Sequence, residues 1–320
     1  MALRRQGLTG GVLALAALIC AADLSSADRA WKEALDAGER AYQAGDYAEA
    51  EKRLEAAVKG AEGFGAEDPR LAVCLNSLAT LRLAQGRYDE ADGQFQRAVA
   101  IYEKTYGRDH PYVASCLNNL AKLCRLRNRN DEAERLCVRA LSIIEKHFGE
   151  DHPSLAPPLG NLAAVKQAQA KWEEAERLFK RALAVCEKAY KEDDPSVRLG
   201  VMNVGRFYFA WGKFAEAEPL WRRVLGMIEK QKGADSFLLM EPLDCLAACL
   251  MSQEKYAEAE PFVARLLALA EKFAGPASPH LVSLLERQAL VLRKLDRAAE
   301  ADKAAERARK IRDAAPPKAE

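Results

Sequence analysis

One spacing governs what this chain of 320 residues can fold into. Pro69, Pro111, Pro153, Pro195 and Pro279 stand 42, 42, 42 and 84 residues apart, and the skipped place holds Phe237. Ala91, Ala133, Ala175, Ala217, Ala259 and Ala301, each preceded by Glu, keep the same period, with Glu49-Ala50 lying 41 residues upstream. A third series runs just ahead of the alanines: Gly45-Asp46-Tyr47, Gly86-Arg87-Tyr88, Asn128-Arg129-Asn130, Ala170-Lys171-Trp172, Gly212-Lys213-Phe214 and Glu254-Lys255-Tyr256. Three series in one register define seven repeats, the first without its proline. A repeat this short cannot bury its apolar face alone and must stack on its neighbours.

Each repeat reads as two helices. In the third, Asp109-His110-Pro111 supplies a capping residue and then a proline, which is tolerated at a helix start because its missing N–H would be unpaired there anyway. Val113, Leu117, Leu120, Ala121 and Cys124 then fall at three- and four-residue steps on one helical face. The break at Asn128-Arg129-Asn130, where other repeats carry Gly, calls for positive φ. A second amphipathic helix carries Ala133, Leu136, Cys137, Ala140, Leu141 and Ile144 and stops at Gly149. The small Ala of each Glu-Ala pair lets the two helices approach closely, and the aromatic before it packs across the turn. Pro219 and Pro261 are expected in the first turn of second helices, where no intrahelical donor is lost.

A period near 42 also occurs in propellers and HEAT arrays, but alternating strand patterns are missing and HEAT repeats lack the Gly-x-aromatic-x-x-Ala signature. HPYVASCLNNLAKLC (110–124), GRYDEA (86–91) and RALSIIEKHFGEDHP (139–153) resemble tetratricopeptide repeats, and more narrowly the longer repeats of kinesin light chains. The resemblance covers about residues 31–312. It implies an all-α, right-handed α-solenoid of stacked antiparallel hairpins, with units at about 31–63, 69–107, 111–149, 153–191, 195–232, 237–274 and 279–312. It also implies a peptide-binding groove lined by the first helices. The motor-linking coiled coil of a light chain has no counterpart here, so a motor-cargo role is not implied.

Composition agrees with that architecture. Hydrophobic residues make up 49% and charged residues 30%, while aromatics are 7%, a helix-forming vocabulary. A net charge of +1 argues against nucleic acid or a membrane surface as the general partner. Residues 1–27 have the layout of a signal peptide: Arg4-Arg5, an apolar run from Gly10 to Cys20, and small residues with cleavage positions at Ala22 and Ala27. The chain is therefore expected to be exported to a periplasmic or extracellular space, with no membrane span after cleavage. An uncleaved anchor, or lipidation at Cys20 behind an ill-fitting Ile19, is the alternative. Residues 28–312 form the solenoid and 313–320 a disordered tail.

Register places Asn76 and Thr80 of unit two on the groove. Asn118, Asn119, Lys122 and Arg125 follow in unit three, and Asn161, Gln167, Asn203 and Arg206 in units four and five. Glu241, Asp244, Glu286 and Arg287 continue the series in units six and seven. Asn119, Asn161 and Asn203 keep the 42-residue period, and amides that both donate and accept can hold the backbone of an extended peptide; equally, they can satisfy neighbouring helices. Lys122, Arg125 and Arg206 give a basic middle and Glu241 and Asp244 an acidic far end, which points to a partner segment acidic where it meets units three to five. The expected function is a protein-interaction scaffold, with a recognition subunit of an envelope export or enzyme complex as the alternative.

Chemistry is sparse elsewhere. Eight cysteines show no C-x-x-C, none lies near paired His, and small apolar core positions are expected for them, with Cys124 and Cys137 the pair best placed for a bridge. Four histidines and scattered carboxylates form no catalytic or metal motif, so neither an enzyme nor a cofactor is expected.

Overall fold

The computed structural model describes residues 26–314; most of the expected signal peptide (residues 1–25) and the last six residues lie outside that range. The described residues form fourteen α-helices and no strand. They divide into two compact units, residues 26–189 and 190–314.

The first unit holds four hairpins: α1 (Ser26–Gln43) with α2 (Tyr47–Glu62), α3 (Pro69–Ala84) with α4 (Tyr88–Tyr106), α5 (Pro111–Leu126) with α6 (Asn130–Phe148), and α7 (Ala156–Ala168) with α8 (Trp172–Ala189). One buried core runs through them from Trp31 and Leu35 to Ala182 and Val185. The second unit holds three: α9 (Pro195–Ala210) with α10 (Phe214–Lys232), α11 (Met240–Ser252) with α12 (Tyr256–Ala274), and α13 (Leu281–Lys294) with α14 (Ala298–Ala314). Within each unit every helix packs on its hairpin partner, and each second helix packs on the first helix of the hairpin that follows it, so the repeats stack in sequence order.

The turn between the two helices of a repeat is the same seven times. Gly45, Gly86, Asn128, Ala170, Gly212, Glu254 and Asp296 all have positive φ, between 57° and 80°. In each, the N–H of the next residue reaches back five positions, as Arg87 does to the Arg82 carbonyl (2.9 Å) and Lys171 to the Lys166 carbonyl (2.9 Å). This pairing satisfies carbonyls left over at the helix end and forces one residue into the left-handed region. Tyr47 stacks on Tyr42 (5.9 Å between centroids) and Phe214 lies edge-on to Phe209 (5.4 Å), across the turn as expected. The seven alanines of the Glu-Ala positions, from Ala50 to Ala301, are fully enclosed at 0% exposure. A larger side chain at these crossings would push the helices apart. Gly205 makes a comparable close approach: a Cβ there would come within 3.1 Å of the Trp221 ring.

The prolines depart from expectation in two ways. Pro153–Leu155 and Phe237–Leu239 form 3-10 turns, and α7 and α11 begin only afterwards. Pro157, Pro158 and Pro242 have no N–H to donate four residues back, so the chain there tightens before the α-helix can start. Pro219 and Pro261 lie inside α10 and α12, each the sixth residue, rather than in the first turn. One intrahelical bond is therefore lost in each of these helices.

Successive second helices are joined by a recurring ion pair. Arg139 meets Glu103 and Arg181 meets Glu145 (both 2.6 Å) in the first unit; Arg307 meets Glu271 (2.6 Å) and Arg265 meets Glu229 in the second. Arg139, Arg265 and Arg307 also donate to a main-chain carbonyl of the loop between repeats, at 2.9–3.0 Å. Each partly exposed pair contributes about 0.5–1 kcal/mol and pins the register of one repeat on the next.

Candidate functional site

In the first unit the asparagines bond to one another. Asn119 Nδ2 on α5 donates to Asn76 Oδ1 on α3 at 3.0 Å, and Asn76 is buried. Asn161 Nδ2 on α7 donates to Asn118 Oδ1 (2.8 Å) and to the Asn118 carbonyl (3.3 Å) on α5. These amides stitch α3 to α5 and α5 to α7. Each rung spans 43 residues, one more than the repeat, so the donor of one repeat meets the residue before its equivalent in the previous repeat. Thr80 Oγ1 donates to the Asn76 carbonyl at 2.8 Å. At the start of the array Ser77 donates to Glu39 (2.9 Å), whose carboxyl burial pushes upward despite that bond.

Lys122 is exposed on α5, and Arg125 lies half-buried one turn further on. Neither makes an ion pair among the described residues, and the Arg125 Nε is enclosed without a hydrogen-bond acceptor. The other basic residues of α3 and α7 do have carboxylates: Arg70 with Asp28 and Asp68, Arg82 with Glu55 and Glu90, and Lys166 with Glu134 and Glu174. Gln167 is half-buried on α7.

In the second unit the opposite charges singled out from register are partners. Arg206 grips Glu241 through two bonds, Nε to Oε1 at 2.6 Å and Nη2 to Oε2 at 2.8 Å. Asp244 pairs with Arg287, and Glu286 with Arg312. The expected contrast between a basic Arg206 and an acidic Glu241 and Asp244 is therefore cancelled inside the unit. Asn203 is half-buried on α9 with no side-chain hydrogen bond among the described residues.

Cys74, Cys116, Cys124 and Cys137 are buried and form no disulfide. Trp31 Nε1 donates to Cys74 Sγ at 2.9 Å. Burial pushes Cys74, Cys116 and Cys137 up to about 12 and Cys124 to about 11, so these groups stay protonated at neutral pH and make poor nucleophiles. Cys124 and Cys137 remain separate thiols. Among the described residues no group of three or more His, Cys, Asp or Glu could hold a metal ion, and no helix is long and apolar enough to cross a membrane.

The model of the MalT-like TPR (tetratricopeptide repeat) region matches residues 23–311. The chain belongs to the MalT-like TPR family. No curated protein matches this sequence. Among solved structures, kinesin-light-chain TPR-like repeats from Podosopora anserina superpose with a TM-score of 0.56 at 24% identity, covering 64% of this chain and 96% of that one. Aspartyl phosphate phosphatase F from Bacillus subtilis gives a TM-score of 0.59 at 17% identity, covering 88% and 70%. The Rap conjugation gene regulator of plasmid pLS20, solved with a Phr peptide, gives 0.58 at 15% identity, covering 92% and 78%. At these identities the likeness is one of fold.

In this TPR chain the repeat register alone does not single out Lys166 and Arg82. The two stand 84 residues apart at one repeat position, with Cys124 between them. Each reaches a carboxylate on the second helix before it and another on the second helix after it: Glu134 (2.7 Å) and Glu174 (3.2 Å) for Lys166, Glu55 (3.3 Å) and Glu90 (3.2 Å) for Arg82. A cation at a position otherwise filled by apolar residues was the available signal.

Proposed function

We propose that this chain is a non-catalytic protein-interaction scaffold that takes an extended segment of a partner protein along the first helices of its first unit. An acidic residue of that segment would face Lys122 and Arg125. The observation that carries the reading is the contrast on α3, α5 and α7: every other Lys or Arg there has a carboxylate partner, and these two, one turn apart on α5, have none among the described residues. A guanidinium with an enclosed Nε lacking an acceptor gains more from an arriving carboxylate than a solvated one does. Asn118 and Asn161 flank the place, each with hydrogen-bonding capacity beyond the bond they share. The solved Rap regulator with its peptide supports the fold's compatibility with such a ligand. An exported location, periplasmic or extracellular, rests on the N-terminal sequence and belongs to the same proposal.

The test is a fluorescence-anisotropy screen of extended peptides matched in length and differing in charge. Acidic peptides should bind best, and Lys122→Ala/Arg125→Ala should weaken them by about tenfold, the loss of one or two exposed charge-assisted contacts. Arg206→Ala should leave that affinity unchanged. Equal binding of acidic and neutral peptides, or an unaltered double variant, would sink the proposal.

A further inference from the structure

Helix starts in this array are capped by different chemistry in different repeats. Asp68 accepts from the Arg70 N–H at 2.9 Å, Asp194 from Ser196 at 2.7 Å and Ser236 from Leu238 at 3.3 Å. In the third and fourth repeats the acceptor is an imidazole nitrogen: His110 Nδ1 receives the Tyr112 N–H and His152 Nδ1 the Ser154 N–H, both at 3.3 Å. A nitrogen accepts only while it carries no proton. An imidazolium would lose the bond and set a positive charge on N–H groups that already carry the positive end of the helix.

Both rings are held in place. His110 stacks on Tyr106 of α4 (4.7 Å, 25° between planes) and meets Tyr112 edge-on at 4.5 Å. His152 stacks on Phe148 of α6 (4.5 Å, 21°). His147 of α6 lies 6.5 Å from His110 with its ring tilted by 60°, so the two imidazoles cannot both be charged without repulsion. A cavity of about 560 Å³ between Tyr106, Asp109, His110 and His147 admits solvent, and protons, to this side. The charges around His110 are the paired Asp109 and Lys146 (2.7 Å) and Arg108, and the Asp68 carboxylate, bonded to Arg70, acts on the neighbouring Tyr106. On the elements packed against His152, Asp151 is paired with Lys188 and Glu145 with Arg181, and Glu150 lies beside them. The nearest carboxylates are thus mostly committed to lysine or arginine.

We infer that His110 and His152 form an acid-sensitive pair of caps, whose protonation releases the start of α5 and the turn that leads into α7. The device stands whether or not a peptide binds. Burial lowers the proton affinity of both rings in the fold, with His147 adding to the effect at His110. A group lowered in the folded state stabilises it above the unfolded histidine value of about 6.5, and that contribution is lost as pH falls below it. The repeats capped by Asp or Ser do not share this loss near neutrality.

Two measurements on the full chain test it. The Hε1 protons of His110 and His152, followed by NMR, should titrate at lower pH in the folded protein than in urea. The thermal midpoint should fall between pH 7.5 and pH 5.5 by about 2 °C more in the native sequence than in His110→Asp/His152→Asp, which carries the cap of the neighbouring repeats. His110→Asn/His152→Asn, a second non-titrating cap, should behave as the Asp variant does. An equal fall in the native sequence and either variant, or titration at or above the urea value, would overturn the inference. Should neither variant fold, the NMR comparison on the native sequence decides alone.

Discussion

Ala170 occupies the left-handed turn of the fourth repeat with φ +57°, a place that Gly86 fills in the second repeat at +77°. A side chain in that region costs about 1–2 kcal/mol, because Cβ crowds the following carbonyl. Glycine escapes this but forfeits about 0.4–1 kcal/mol through the greater freedom of the unfolded chain. The difference predicts that Ala170→Gly stabilises the first unit by about 0.7 kcal/mol. The converse change, Gly86→Ala, should destabilise it by the same amount, since a Cβ on Gly86 meets nothing within 4 Å and only the backbone cost remains. For a unit of this size the midpoints should move by roughly 1–3 °C in opposite directions. Circular-dichroism melts of both variants, with the steepness of the transition unchanged, give the measurement. Glu254→Gly should gain as Ala170→Gly does, and Asn128→Gly less, because Asn tolerates this conformation. A neutral or destabilising Ala170→Gly, or a harmless Gly86→Ala, would refute the claim that backbone conformation sets the cost at these turns.

Two further outcomes follow from the same physical picture. Asn119→Ala leaves the buried Asn76 Oδ1 without its donor and should cost about 1–3 kcal/mol in urea unfolding, whereas Asn76→Ala/Asn119→Ala should cost less than the two single changes added together. The Asp68 carboxyl is held below its ordinary value chiefly by its hydrogen bonds from Arg70, so its contribution is present above about pH 4 and lost on further acidification; Asp68→Asn should lower stability at pH 7 and flatten the acid limb of the unfolding curve.

The hairpins were legible because the rules that make them act over short distances. A proline at a helix start, a residue able to take positive φ at the turn and an alanine at the crossing each work within one repeat. Repetition seven times over makes them unmistakable, and Ala50 through Ala301 are enclosed as their spacing requires. Where prolines crowd together, as at Pro157 and Pro158, the same local chemistry delays the helix to Ala156, although the proline spacing alone predicts that start at Pro153.

The candidate site divides along a similar line. By itself the sequence determined which residues lie on the first helices and that these helices stack every 42 residues. Tertiary structure alone decided what those residues do to one another. Side chains on a helix lean toward its start, so contacts between successive repeats do not fall on the repeat period. Asn119 meets Asn76 and Asn161 meets Asn118 at a separation of 43, while the arginines of the second helices reach back 36. A ladder drawn at 42 becomes staggered rungs, Arg206 is taken by Glu241, and Lys122 and Arg125 have no carboxylate partner among the described residues. The period is a property of the backbone, but the partnerships depend on side-chain direction, and that exists only once neighbouring repeats have packed.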